Sequence, residues 1–146
     1  MKGKIVAVCT SMEKGTKKTP VESALLVEDC GLAGDAHSGP GTERQVSLLA
    51  LDGIGRMKAL GLDVDAGDFA ENLTVEGLDL PALPVGTTLR LSGGPVLVIT
   101  AIGKRCHNKG CAIFRQAGTC IMPREGVFVR VVEGGIVHAG DTLSVL

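Results

Sequence analysis

Short apolar runs, each cut off by glycine or a Gly/Pro pair, dominate the hydrophobic pattern of this chain. Residues 5–9, 24–28, 45–50 and 96–102 are compact and rich in β-branched or large aliphatic side chains, the signature of half- or fully buried strands. Residues 73–75, 88–91, 127–132 and 142–146 read the same way, with Pro84-Val85-Gly86, Gly93-Gly94-Pro95, Gly134-Gly135 and Ala139-Gly140-Asp141 as turns between them. One helix stands out. Leu51, Ile54, Met57, Leu60 and Leu62 recur at helical spacing, Asp52 lies in the first turn and Gly61 is placed to cap the end, although Gly53 and Gly55 weaken it. Residues 11–20 read as a basic, exposed loop around Lys14, Lys17 and Lys18. The stretch 31–41, with Gly31, Gly34, Gly39 and Gly41, predicts irregular backbone. No repeat or linker interrupts the chain. The expected fold class is mostly β (α+β): a barrel or sandwich of short strands with one or a few short helices.

Composition narrows this further. With 146 residues and 45% hydrophobic content, the chain suits a single domain over 1–146 with a core of its own. Disordered chains are apolar-poor and charge-rich, and this one is neither. A net charge of -1 and 2% aromatic residues argue against a nucleic-acid partner, which calls for a basic excess and stacking rings. No apolar run reaches the roughly 20 residues of a membrane span, so no membrane role is expected. The opening MKGKIVAVCT has an apolar run too short for a secretion signal and reads as the first strand of a cytoplasmic protein. Five cysteines, an odd number, fit reduced thiols better than disulfides.

Charge is unevenly spread along the chain. Lys104, Arg105, Lys109, Arg115, Arg124 and Arg130 face a single acid, Glu125, across residues 104–130, and that stretch also holds Cys106, His107, Cys111 and Cys120. Thiols beside Lys and Arg ionise more readily and become nucleophiles or metal ligands. The cationic surround suits an anionic ligand, phosphate above all. Cys106, His107, Cys111 and Cys120 offer the atoms of a structural zinc site, but their spacing matches the usual ligand pattern poorly. Small buried apolar residues are the simpler reading of Cys111 and Cys120. Cys106 differs, because it follows Lys104-Arg105 directly after a strong strand.

Four segments in register, GLAGDAHSGPGTERQVSLLA (31–50), FAENLTVEG (69–77), LPVGTTLRL (83–91) and CHNKGCAIFRQAGTCIMPREGVFVRVVEGG (106–135), resemble the MOSC domain. That domain is named for the C-terminal part of molybdenum cofactor sulfurases, and the match is closest to its small stand-alone bacterial type. The resemblance implies a β-rich barrel and one cysteine after a strand that carries sulfur or ligates a molybdopterin-type cofactor. Cys106 occupies that place, with Cys111 as the alternative. In the functional version Asp35 and His37 stand at the mouth of the thiol site, His37 moving a proton. Arg44, Lys104, Arg105 and Arg130 would meet the cofactor's negative charge, and Glu71-Asn72 would read the edge of its pterin ring. Each has a plainer reading: a tight glycine loop at 31–39, a surface Arg44, Asn72 as a turn cap. If the protein is an enzyme, the activity implied is sulfur transfer in molybdenum cofactor biosynthesis. A cysteine desulfurase or a cofactor-biosynthesis or molybdoenzyme protein would then be its partner, since the chain has no pyridoxal phosphate motif. A pterin- or oxyanion-binding carrier without chemistry, and a structural zinc domain, are the alternatives.

Overall fold

The structure, a computed structural model, describes residues 1–12, 17–36, 38–103 and 125–146. Within these, β1 (Lys2–Thr10), β5 (Val46–Ala50), β6 (Leu73–Glu76), β7 (Thr88–Leu91), β8 (Val96–Ile102), β9 (Val127–Glu133) and β11 (Thr142–Val145) pair in the order β11-β7-β8-β9-β5-β6-β1. Pairing of β11 with β1 closes them into a barrel, and β2 (Thr19–Val21) extends β1 on the outside of the ring. Closure removes the free edges that an open sheet would present. A smaller sheet, in the order β10-β3-β4, is built from β3 (Ser23–Val27), β4 (Gly31–Leu32) and β10 (Gly135–His138).

Alternation along the strands sorts side chains onto two sides of the barrel wall. Val46, Leu48 and Ala50 point inward with Ile5, Leu73, Val75, Leu97, Ile99, Val127 and Val129, and these fill the barrel. Leu49 and Phe128 point outward and are covered by α1 (Leu51–Ala59), where Ile54 and Met57 join Leu62, Val64 and Phe69 in a second apolar cluster. All five residues of β5 are therefore buried, which explains why the strand reads as a continuous apolar run. Strands β5 and β6 are parallel, and parallel neighbours need a crossover, which here contains α1. The helix stops close to its predicted cap, with the Gly61 N–H donating to the Lys58 carbonyl.

Three short strands depart from the sequence pattern. Residues 19–21, which overlap the end of the predicted loop, pair with β1, and Lys18, expected in solvent, is buried. Gly31 and Leu32 pair with β3 inside the glycine-rich stretch. At Gly31, φ is +127° and a Cβ would stand 2.6 Å from the Gln45 carbonyl oxygen, so only glycine lets the small sheet approach β5. Strand β10 occupies what reads as a run of turns, because Ile136 and Val137 find partners in Leu25 and Ala24, more than a hundred residues earlier. Among the described residues, no helix is long and apolar enough to cross a membrane.

Candidate functional site

Residues 104–124 fall in the sequence between β8 and β9, whose ends meet. Gly103, just past β8, donates its N–H to the Gly126 carbonyl, just before β9. Cys106, Cys111, Lys104 and Arg105, together with His107 and Cys120, belong to this stretch of sequence and lie outside the described residues, as does His37. What the structure describes is the root of that stretch, the Gly103–Gly126 contact between the ends of β8 and β9.

Arg44 stands at that root. Its Nη2 donates to the Gly103 carbonyl at 3.2 Å, and its guanidinium carbon lies 4.9 Å from the centre of the Phe128 ring. Such a perch over an aromatic face is worth about 0.5–1 kcal/mol at an exposed site. The neighbouring Glu43 carbonyl accepts a hydrogen bond from Thr100 on β8, which pins the backbone beside it. Arg44 itself is exposed, so its other N–H donors face outward. Arg130 is also exposed, and it shares the outward side of β9 with Phe128. Of the predicted anion-binding residues that are described, Arg44 touches Gly103, and Arg130 lies farther along β9, opposite Val98.

Asp35 has a different setting. It is buried, and one carboxylate oxygen accepts from Lys18 Nζ at 2.8 Å and from the Ser11 N–H at 3.0 Å. Both side chains of the Lys18–Asp35 pair are 0% exposed. Lys18 also donates to the Ser11 hydroxyl and, through its backbone N–H, to the Gly67 carbonyl. No side chain fits at Gly67, where φ is +89° and a Cβ would stand 2.1 Å from the Lys18 carbonyl oxygen. The loop residue after Asp35 is tied to the same corner, the Ala36 N–H donating to the Ser11 carbonyl. Lys18 is the residue that sequence reasoning missed. A lysine among lysines and threonines carries no periodic signal, and only the fold shows that it faces inward.

Glu71 and Asn72 are 0% exposed, and their polar atoms are engaged within the chain. The Asn72 side-chain oxygen accepts from the N–H and hydroxyl of Ser47, while its amide nitrogen donates to the Cys9 carbonyl. Asn72 thus ties β5 to β1 across the start of β6. Glu71 accepts from the Thr74 hydroxyl and the Phe69 N–H. Burial holds its carboxyl above the usual carboxylate range, against the pull of these donors. Neither side chain presents an edge to solvent: Asn72 is occupied by bonds between strands and Glu71 by bonds to its near neighbours.

Cys9 lies in the same layer, buried against Gly67. Burial, then the carboxylates of Glu71 and Asp68, push its thiol from 9.0 up to about 12, with Lys18 acting in the opposite direction. It is therefore a neutral thiol and no nucleophile at physiological pH. An unfolded thiol ionises near its ordinary value, so the unfolded chain sheds this proton first, and stability falls as pH rises from about 9 toward about 12. Cys9→Ala should flatten that alkaline slope in denaturation curves. At pH 8 the variant should show as many fast thiols toward a disulfide reagent as wild type, and one fewer once unfolded.

A groove of about 550 Å³ opens beyond the ends of β5 and β6, lined by Asp52, Arg56, Leu78, Asp79 and Glu125. Arg56 and Glu125 form an ion pair across it. Its carboxylates oppose an anionic ligand, and it contains none of the residues nominated from sequence. Among the described residues, no group of three or more His, Cys, Asp or Glu is placed to hold a metal ion, and all four residues of the zinc alternative fall outside them.

Comparison with known proteins gives one family and one fold. The family model described as the MOSC domain matches residues 34–144. The crystal structure of the YuaD protein from Bacillus subtilis superposes with a TM-score of 0.81 at 17% identity, covering 98% of this chain and 94% of that one. YiiM from Geobacillus stearothermophilus gives 0.73 at 17% identity, over 99% of this chain and 75% of that one. YiiM from Escherichia coli gives 0.72 at 18%, over 100% and 70%. No curated protein matches the chain.

Proposed function

The chain belongs to the MOSC domain family, and from that premise we propose that it holds a molybdopterin-type cofactor beside residues 104–124 and carries sulfur on Cys106. The observation that carries this reading is Arg44, placed over Phe128 and hydrogen-bonded to Gly103, the residue that precedes the basic, thiol-bearing segment in sequence. The donor chemistry fits an anionic pterin bearing phosphate. Arg44 directs free N–H groups outward, Arg130 adds charge on the same side of β9, and Lys104 and Arg105 supply two further cations in sequence. Bound there, the cofactor would supply a molybdenum centre that accepts soft sulfur ligands.

The chain's own part in sulfur carriage is thiolate chemistry. Flanked by Lys104 and Arg105, Cys106 is favoured as thiolate. It attacks the outer sulfur of a persulfide on a cysteine desulfurase; a new S–S bond forms, the old one breaks, and the donor cysteine leaves as thiolate. Such exchange belongs in a reducing compartment such as the cytoplasm, in keeping with five cysteines. A carrier without chemistry is the second reading. It is favoured by the interior placement of Asp35, whose carboxylate is engaged by Lys18 and Ser11 instead of standing free beside the thiol segment.

The test uses protein purified anaerobically from a host that makes the cofactor, with Cys106→Ser and Cys111→Ser beside it. Molybdenum is read by elemental mass spectrometry, and pterin by fluorescence after oxidation. Wild type should hold both, with Cys106→Ser losing at least about ten-fold, equivalent to about 1.4 kcal/mol of affinity. A persulfide mass on wild type after incubation with a desulfurase and cysteine, missing from Cys106→Ser, separates sulfur carriage from bare carriage. Zinc without pterin, lost in both variants, would overturn the proposal.

A further inference from the structure

We infer that the buried Lys18–Asp35 pair is a clamp that positions Arg44, so that Lys18, on the far side of the loop, sets how well the arginine site holds an anion. This rests on the reading that Arg44 faces the cofactor. Two grips hold the loop between them. At one end, Asp35 is fixed by Lys18 and Ser11, and Ala36 by the Ser11 carbonyl. Behind them Lys18 is locked by its backbone bond to Gly67, which leaves no room to shift. At the other end, Thr100 holds the Glu43 carbonyl, and Gln45 bridges Asp29 and the Val131 N–H.

Between these grips the chain is held by short local bonds. Ser38 bonds the Asp35 carbonyl, the Gly39 N–H donates to Cys30, and the Arg44 N–H reaches the Thr42 hydroxyl. Among the described residues, the Arg44 side chain makes one hydrogen bond, to Gly103, and one ring contact. A long side chain on so few contacts depends on its backbone for placement, and that backbone lies in sequence between the Asp35 grip and the Glu43–Gln45 grip. Lys18 and Asp35 are positioning residues in this scheme. Their charges are sealed from solvent and do not themselves meet the ligand.

The experiment pairs Lys18→Met with Asp35→Leu, an apolar replacement that retains volume and leaves neither charge behind. Hydrogen exchange of the Ala36, Gly39 and Arg44 amides is the first readout, and molybdenum and pterin content the second. Exchange at these amides should rise about ten-fold while β5 and β9 stay protected. Cofactor content should fall to the level of Arg44→Ala, and adding the pair to Arg44→Ala should lower it no further, because both act through one guanidinium. Unchanged exchange at the three amides overturns the clamp. Wild-type cofactor content in the pair variant, with Arg44→Ala depleted, overturns it too. Wild type free of molybdenum and pterin defeats the functional proposal alone, and exchange then decides the clamp. Should the apolar pair fail to fold, Lys18→Gln with Asp35→Asn keeps hydrogen-bonding groups of similar size and is judged by the same readouts.

Discussion

Lys18→Ala lowers the free energy of unfolding by about 3–5 kcal/mol, the range found when one partner of a buried ion pair is removed. The argument turns on where the charges lie. Both side chains are fully sealed, at 2.8 Å, and the same carboxylate oxygen also receives the Ser11 N–H. Taking away the ammonium leaves a carboxylate charge in a low-dielectric site, deprives the Ser11 hydroxyl of a donor, and opens a cavity the length of a lysine stem. An exposed pair behaves otherwise. Lys58 and Asp65, both largely in solvent, bond at 2.9 Å, and Lys58→Ala should leave the denaturation midpoint close to that of wild type. Urea denaturation of the two variants side by side makes the comparison. Equal, small shifts would mean that the Lys18 pair is solvated after all.

Asn72→Ala is expected to cost about 2–4 kcal/mol. The substitution removes the oxygen that receives the Ser47 N–H and hydroxyl, and the amide that donates to Cys9. Buried groups that lose a partner cost about 1–3 kcal/mol each, and the losses fall on two strands at once. Ser47→Ala alone should cost less, and the double variant should cost less than the sum, since the two side chains share a bond. Asn72→Asp is a sharper probe. It keeps the shape and the acceptor but puts a charge at a fully buried position and loses the donor to Cys9. If Asn72 is in fact an open binding edge, Asp will be tolerated by the fold, and the denaturation midpoint will stay within error of wild type.

Much of the barrel is legible in the residue order. Strand 96–102 has the bounds read from its apolar run, and the helix begins at Leu51 as its spacing demands. Both are cases where local pattern and tertiary burial agree, so nothing competes with the pattern. Strands β2, β4 and β10 escape because each is short, bounded by glycine, proline or polar residues, and stabilised by a partner distant in sequence or by a backbone approach that only glycine permits. Propensity carries little weight for such segments; cross-strand contact decides them.

The candidate site divides along a similar line. That a basic, thiol-bearing stretch follows the strongest strand is a property of the sequence alone, as is the family resemblance that the match over 34–144 bears out. Which polar residues face inward is not. Lys18 reads as a solvated loop lysine, and Asn72 as a reader of ligand or a turn cap, because charge and amide groups advertise themselves to water in any linear reading. The fold inverts both assignments. Strands separated by tens of residues bring Ser11, Asp35 and Gly67 around Lys18, and Ser47 and Cys9 around Asn72. Hydrogen bonds then make burial affordable for groups that would otherwise never leave solvent. Residue order therefore determined the longer strands, the helix and the basic, thiol-bearing segment. Only the three-dimensional closure of the barrel decided which polar side chains hold the fold together and which, like Arg44, stay exposed.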